Sequence, residues 1–106
     1  MSGFVEHLHE VFRDFGAITA RKMFGGHGIF HEGRMFGLIA DDVLYLKVDA
    51  RNRADFEAQG LQAFEYNKAG KTMKMSYYQA PDTIFDDPDE AATWAQKAYA
   101  AALRAK

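Results

Sequence analysis

Residues 21–48 constrain the fold most strongly, because strand-like runs alternate there with two pairs of turn-forming residues. Glu32-Gly33 and Asp41-Asp42 fall where two-residue hairpin loops would lie. Glycine, and less readily aspartate, tolerates the positive φ that such tight turns require. The segment therefore predicts three consecutive antiparallel strands.

The two turns also predict how the three strands pair. Counting outward from each turn gives these cross-strand pairs: Gly28 with Gly37, Gly37 with Leu46, Phe30 with Met35, Met35 with Val48, and Ile39 with Leu44. These residues would share one face of the sheet. We expect helices to cover that face, because its glycines would let a helix approach the backbone closely.

The opposite face, which we call the mixed face, carries more large apolar residues than a solvated sheet face usually does. Its predicted apolar members are Ile29, Phe36, Leu38 and Tyr45, and its predicted polar edge is Lys47, His31 and Arg34. Such an apolar centre with a polar rim is typical of protein interfaces. We predict partner binding at Ile29, Phe36, Leu38, Tyr45 and Lys47. The alternative is that one of the helices covers this face as ordinary core.

The segments on either side of these strands predict three helices and two more strands. The spacing of Phe4, Leu8, Val11, Phe12 and Phe15 predicts an amphipathic helix that ends at Gly16. Further along, the pattern predicts a helix from Ala50 to about Ala58 capped by Asp49, strands at 63–67 and 72–79, and a last helix from Asp87-Pro88 to near the C-terminus. The predicted order is α-β-β-β-α-β-β-α. We expect an α+β fold in which an antiparallel sheet packs on helices in two layers.

Composition limits the possible functions. The chain has 106 residues, no cysteine, and 13 Lys plus Arg against 15 Asp plus Glu, a net charge of −2. This length predicts a single domain over 1–106. The charge balance disfavours nucleic acid as the main ligand, and the absence of cysteine excludes disulfides and thiolate chemistry. With no signal peptide or long apolar run, we expect a cytoplasmic protein.

The sequence contains no recognisable catalytic, metal-binding or cofactor-binding motif. His27 and His31 lie on one predicted strand about 13 Å apart, which is too far to share a metal ion. Gly25-Gly26-His27-Gly28 lacks the lysine and following helix of a phosphate loop, and we interpret it as a bulge. His7 and His9 point in different directions on a helix. We therefore expect neither enzymatic activity nor a bound cofactor, with a small-ligand or hydrolytic domain as the third hypothesis.

Basic residues suggest the second hypothesis, a nucleic-acid-binding edge. Its candidate residues are Arg21, Lys22, Lys68, Lys71 and Lys74, which would gather if the last hairpin lay beside the first strand. Lysines also protect sheet edges from mispairing. Tyr77 and Tyr78 are the nearby aromatic residues, although we expect Tyr77 to belong to the core.

Several short motifs recur along nearly the whole chain. In chain order they are Met23-Phe24-Gly25-Gly26, Gly33-Arg34-Met35-Phe36, Leu44-Tyr45-Leu46-Lys47-Val48, Phe56 with Gly60, Phe64 with Tyr66, Met75-Ser76-Tyr77-Tyr78, Pro81, Asp87-Pro88 and Trp94. Each motif alone is weak, but in this order and spacing they together resemble the N-terminal domain of the TfoX/Sxy competence regulators. The resemblance implies a two-layer α+β domain that acts in regulation without known catalysis.

Full-length members of that family carry a second, C-terminal domain. Because this chain stops at Lys106, we expect a stand-alone N-terminal domain. The first hypothesis is therefore a non-enzymatic regulatory domain that binds a partner protein or forms a homodimer.

Overall fold

A computed structural model describes residues 3–23, 25–68 and 70–105 of the chain. The elements are α1 (Gly3–Val11), β1 (Thr19–Met23), β2 (Gly26–His31), β3 (Arg34–Ala40), β4 (Val43–Lys47), α2 (Arg53–Ala58), β5 (Ala63–Lys68), β6 (Lys71–Gln79), a short 3₁₀ helix (Asp82–Phe85) and α3 (Pro88–Ala105). The predicted α+β class and the alternation of helices with groups of strands are confirmed. The first group contains four strands rather than three. None of the helices in the described ranges is long and apolar enough to cross a membrane.

The six strands form one antiparallel sheet in the order β1-β2-β3-β4-β6-β5. Its core lies between one sheet face and the helices. The largest fully buried side chains of that core are Phe12, Phe36, Phe56, Leu8, Ile29, Leu46 and Ile84. Alanines on α3, among them Ala95 and Ala98, are fully buried, so this helix lies close to the sheet. The predicted two-layer arrangement is therefore confirmed.

Both predicted hairpin turns are present. Glu32 and Gly33 have φ of 50° and 80°, and Asp41 and Asp42 have φ of 52° and 61°. These are the left-handed conformations that two-residue turns of this kind require. The turn chemistry of the sequence thus determines where β2, β3 and β4 end.

A β-bulge changes the predicted register between β2 and β3. Phe30 pairs with Met35 as predicted, but Ile29 then pairs with Gly37, so β3 has one additional residue, Phe36. Gly28 consequently lies opposite Leu38, and the prediction that it faces Gly37 was wrong. Because side chains alternate along a strand, this insertion changes the face on which some of the neighbouring residues lie.

On the other side of β3 the prediction holds. Gly37 pairs with Leu46 and Ile39 pairs with Leu44. Both leucines are buried beneath the helices. The register of this hairpin is therefore confirmed for these two pairs. The prediction that Met35 pairs with Val48 was wrong, because Val48 lies beyond the end of β4 and is buried in the main core.

The first strand of the sheet was not anticipated as a separate element. Gly25-Gly26, interpreted as a bulge, instead belongs to the β1–β2 hairpin, where Met23 pairs with Gly26 and Gly25 has φ of 74°. The glycine at 25 permits the backbone conformation of the turn.

The last helix begins as predicted, whereas the second begins later than predicted. One Asp87 carboxylate oxygen accepts backbone N–H groups from Asp89 and Glu90 at 3.0 and 3.4 Å, which caps α3. Asp49 accepts the N–H groups of Arg51 and Asn52 and thereby closes a turn, so α2 begins only at Arg53. Asp49 is therefore a turn-forming residue and not the N-cap of α2.

Asn52, which the sequence analysis did not single out, joins the two layers. Its buried side-chain amide donates to the carbonyl oxygens of Lys47 at 3.2 Å and Lys97 at 3.1 Å, and its Oδ1 accepts the N–H of Asp49 at 2.8 Å. Buried polar groups need such partners to avoid a large desolvation penalty. This network fixes the end of β4 against α3.

An ion pair beside this network makes stability dependent on pH. Arg104 donates to both carboxylate oxygens of Asp49 at 2.6 and 2.9 Å. The hydrogen bond from Arg104 lowers the pKa of Asp49 from 3.8 to about 2. A pKa lowered by folding contributes stability above the unfolded-state value and loses that contribution as the pH falls through the folded-state value.

We predict that Arg104→Gln lowers the free energy of unfolding near neutral pH, because it removes the charge-assisted hydrogen bonds to Asp49. The difference in the free energy of unfolding between Arg104→Gln and wild type should persist down to about pH 4 and disappear between pH 4 and pH 2. Urea unfolding of both proteins over this pH range measures it. A difference that does not depend on pH would contradict the role assigned to the pair.

Candidate functional site

The face of the sheet opposite the helices is the candidate site, and we call it the helix-free face. Its members are Arg21, Met23, Phe30, Met35, Leu38, Tyr45, Lys47, Phe64 and Tyr77. Their position follows from the strand pairing, because directly opposed residues share a face. In the described parts of the chain, no helix packs on this face.

Side chains on the helix-free face pack against one another. Leu38 is only 4% exposed although it lies outside the main core, and Tyr77 is also buried. The rings of Tyr45 and Phe64 lie 4.9 Å apart between centroids. Burial raises the pKa of the Tyr77 hydroxyl. The result is a continuous apolar layer across the middle strands.

Two cations lie on this apolar layer. The guanidinium carbon of Arg21 is 5.4 Å from the ring centroid of Phe30, and Nζ of Lys47 is 5.2 Å from that of Tyr77. Both distances fall in the range of favourable cation–π contacts. Within the described residues, neither cation forms an ion pair with a carboxylate.

The structure divides the residues predicted to form the mixed face. Ile29 and Phe36 are fully buried beneath the helices, and the ring of Phe36 lies 5.8 Å from that of Phe12 and 5.2 Å from that of Phe15. The prediction that Ile29 and Phe36 belong to an accessible face was therefore wrong, because the bulge at Phe36 had not been foreseen.

The other three predicted partner-binding residues, Leu38, Tyr45 and Lys47, do lie together on the helix-free face. Phe30, Phe64 and Tyr77 are the aromatic members of this face that the sequence analysis missed. Phe30 and Met35 form their predicted pair, but the prediction that they share the helix-covered face with Gly37 was wrong, because the bulge at Phe36 places this pair on the opposite face. Tyr77 lies here rather than in the main core, whereas Tyr78 faces α2, with its hydroxyl donating to Glu57 at 3.0 Å.

The predicted basic edge does not form. Arg21 and Lys22 lie on β1 at one edge of the sheet, whereas Lys68, Lys71 and Lys74 lie on the β5–β6 hairpin at the other. Four or five strand spacings of about 4.8 Å separate the two groups, which is roughly 20 to 24 Å. The prediction failed because β6 pairs with β4 and not with the first strand.

The histidines make structural contacts. His31 Nδ1 lies 2.7 Å from the carbonyl oxygen of Ala17, and its ring packs against the rings of Phe15 and Tyr99. His7 stacks on Phe85. Within the described ranges, no three His, Asp or Glu side chains come together in a way that could hold a metal ion.

Comparison with known proteins identifies the family. Residues 10–102 match the family model described as the TfoX N-terminal domain. The chain belongs to the TfoX N-terminal domain family. The matched region includes every residue of the helix-free face, so the candidate site of this TfoX N-terminal domain lies within it.

A similar protein is the DNA transformation protein TfoX1 of Aliivibrio fischeri (strain ATCC 700601 / ES114). It is 32% identical to this TfoX N-terminal domain over 88 residues, which cover 79% of the chain and 42% of the relative. The chain thus spans less than half of the length of that relative.

Proposed function

We propose that this TfoX N-terminal domain is a non-enzymatic regulatory domain that works in the cytoplasm by binding another protein through its helix-free face. One observation carries the proposal: a sheet with helices on one side bears an apolar layer on the other. Contiguous apolar surface on a small domain usually marks an interaction site. Its apolar centre and its cationic margin, formed by Arg21 and Lys47, match the organisation of protein interfaces.

The distribution of methionine and isoleucine supports this proposal. All four isoleucines, Ile18, Ile29, Ile39 and Ile84, are buried in the main core. Met23 and Met35 instead lie on the helix-free face, where each is partly exposed. Methionine is flexible and polarizable and is common on surfaces that adapt to a partner.

The name of the Aliivibrio fischeri relative suggests the process in which the domain acts. We propose that this chain takes part in regulating DNA transformation competence. Binding to a regulatory protein is the contribution that the helix-free face would make. This assignment rests on the relative's name and on membership of the family.

The test is affinity capture from native cell extract with wild type, Tyr45→Asp and Leu103→Asp. Tyr45 lies on the helix-free face, whereas Leu103 is a 47% exposed apolar residue on α3. We expect Tyr45→Asp to reduce capture of the partner at least tenfold, because a carboxylate at the centre of an apolar interface would be desolvated. The matched Leu103→Asp substitution should leave capture unchanged.

Circular dichroism is used to check whether each variant is folded. If Tyr45→Asp is not folded, Tyr45→Ser replaces it. Light scattering separates capture of a second copy from capture of a different protein. Equal capture by wild type and a folded Tyr45 variant would exclude this face as the binding site.

A further inference from the structure

We infer that the partner presents an amphipathic helix whose apolar face is flanked by two carboxylates about three helical turns apart. The inference rests on the proposed function, since it names the chemistry of the partner that the helix-free face binds. Three observations lead to it: the charge of the sheet, the positions of its two ring-bound cations, and the absence of free backbone groups on a sheet face.

Charge is distributed unevenly between the two layers. The chain has a net charge of −2, but β1, β2, β3, β4 and β6 contain no Asp or Glu, and Glu65 on edge strand β5 is the one carboxylate in the described strands. Among the residues listed above as members of the helix-free face, Arg21 and Lys47 are the charged ones. A partner with carboxylates would therefore be attracted, and one with cations repelled.

Each of the two cations lies over an aromatic ring of a neighbouring strand. The Arg21 guanidinium lies over Phe30 on β2, and the Lys47 ammonium lies over Tyr77 on β6. Three strand spacings separate β2 from β6 in the sheet order, which is about 14 Å. Eleven residues of α-helix make three turns and rise about 16 Å. Carboxylates eleven positions apart on one side of a helix could therefore reach both cations.

A helix fits this face better than an extended segment does. Strand backbone groups form hydrogen bonds within the plane of the sheet, so its face offers none to an extended partner. A helix satisfies its own backbone and needs only an apolar surface against which to pack. The helices of this domain already pack on the opposite face in that way.

The same geometry disfavours two other occupants. Single-stranded nucleic acid binds by stacking bases on open aromatic faces, but Phe30 and Tyr77 carry cations over their rings, and Tyr45 and Phe64 pack on each other. A second copy joined face to face would bring Arg21 and Lys47 towards a surface with the same positive charges.

The inference is tested by screening a displayed library of 20-residue helices for binding to the full chain. Every member keeps one face of Leu and Ala, and two flanking positions eleven residues apart are varied among Glu, Gln and Lys. We expect sorting to enrich Glu at both positions at least tenfold over Gln and Lys. The enriched helix should bind at least tenfold more weakly to Arg21→Glu and to Lys47→Glu.

Lys22→Glu is the matched control, because Lys22 is an exposed residue of the same strand as Arg21 that points to the opposite face. It should bind the enriched helix as wild type does. The inference would be overturned if Gln or Lys were enriched, if nothing were enriched, or if Lys22→Glu weakened binding as much as the other two substitutions do. Displacement of the helix by a 20-nucleotide thymidylate strand would also overturn it. If Tyr45→Asp lost capture of the partner protein while any of these results was obtained, the proposed function would still hold. Only the inference that the partner presents an acidic helix would then be wrong.

Discussion

Phe36→Asp is expected to unfold the domain. Phe36 is 0% exposed, and its ring contacts Phe12, Phe15 and Tyr99 beneath the helices. Removing a buried phenylalanine side chain alone destabilises a protein by roughly 3–5 kcal/mol, and an unpaired buried carboxylate adds a further desolvation penalty. The total, above about 4 kcal/mol, is a large part of the stability of a typical small domain.

Circular dichroism and urea unfolding measure this effect, and Tyr45→Asp provides the control. Tyr45 lies on the opposite face, so the same new charge should leave that variant folded. A Phe36→Asp protein that unfolds at the same urea concentration as wild type would mean that the bulge in β3 is wrong and that Phe36 faces solvent.

Gly26→Ala is the second substitution from which we expect a large loss of stability. A Cβ atom at Gly26 would lie 1.9 Å from the backbone carbonyl oxygen of Ile39. Since that atom belongs to a central strand, a rotamer change cannot relieve the clash. Overpacking of this kind destabilises proteins by about 1–3 kcal/mol and occasionally more, and we expect a loss at the upper end of this range.

Gly25→Ala is the matched control for Gly26→Ala. A Cβ at Gly25 would meet nothing within 4 Å, so its expected penalty is only the left-handed conformation, about 1 kcal/mol. Urea unfolding of both variants gives the comparison. A Gly26→Ala protein at least as stable as Gly25→Ala would show that β2 does not approach β3 as closely as the structure indicates.

Local chemistry allowed part of this fold to be predicted. The positive φ at Asp41 and Asp42 and the cap at Asp87 depend on residues next to one another in the chain. The pairing of Ile39 with Leu44 followed by counting from the turn. Such features need no knowledge of distant segments, which is why sequence alone predicted them correctly.

The bulge at Phe36 was not predictable in the same way. Gly37 beside Phe36 is compatible with a bulge, since an isolated glycine in a strand often marks one, but it does not show which residue is inserted. The bulge places the Phe36 ring in a cluster with Phe12 and Phe15 from a distant segment. Tertiary packing thus decided the register. Because one inserted residue changes the face of its neighbours, this single omission misplaced two of the five predicted partner-binding residues, Ile29 and Phe36.

The pairing of β4 with β6 was also beyond local reasoning. Strands that are distant in sequence can be neighbours in several orders, and periodicity does not select among them. The observed order placed the lysines of the β5–β6 hairpin far from Arg21 and brought Tyr77 beside Lys47. It thereby removed the predicted basic edge and created the cationic margin of the helix-free face.

Methyl NMR tests the central claim, that the helix-free face binds the partner, without any substitution. Met23 and Met35 report on this face, and the four isoleucines report on the main core beneath the helices. On adding the protein captured by wild type, the account predicts that the methyl resonances of Met23 and Met35 shift or broaden while those of Ile29, Ile39 and Ile84 change little. Changes confined to the isoleucine methyls, with both methionine resonances unmoved, would contradict it.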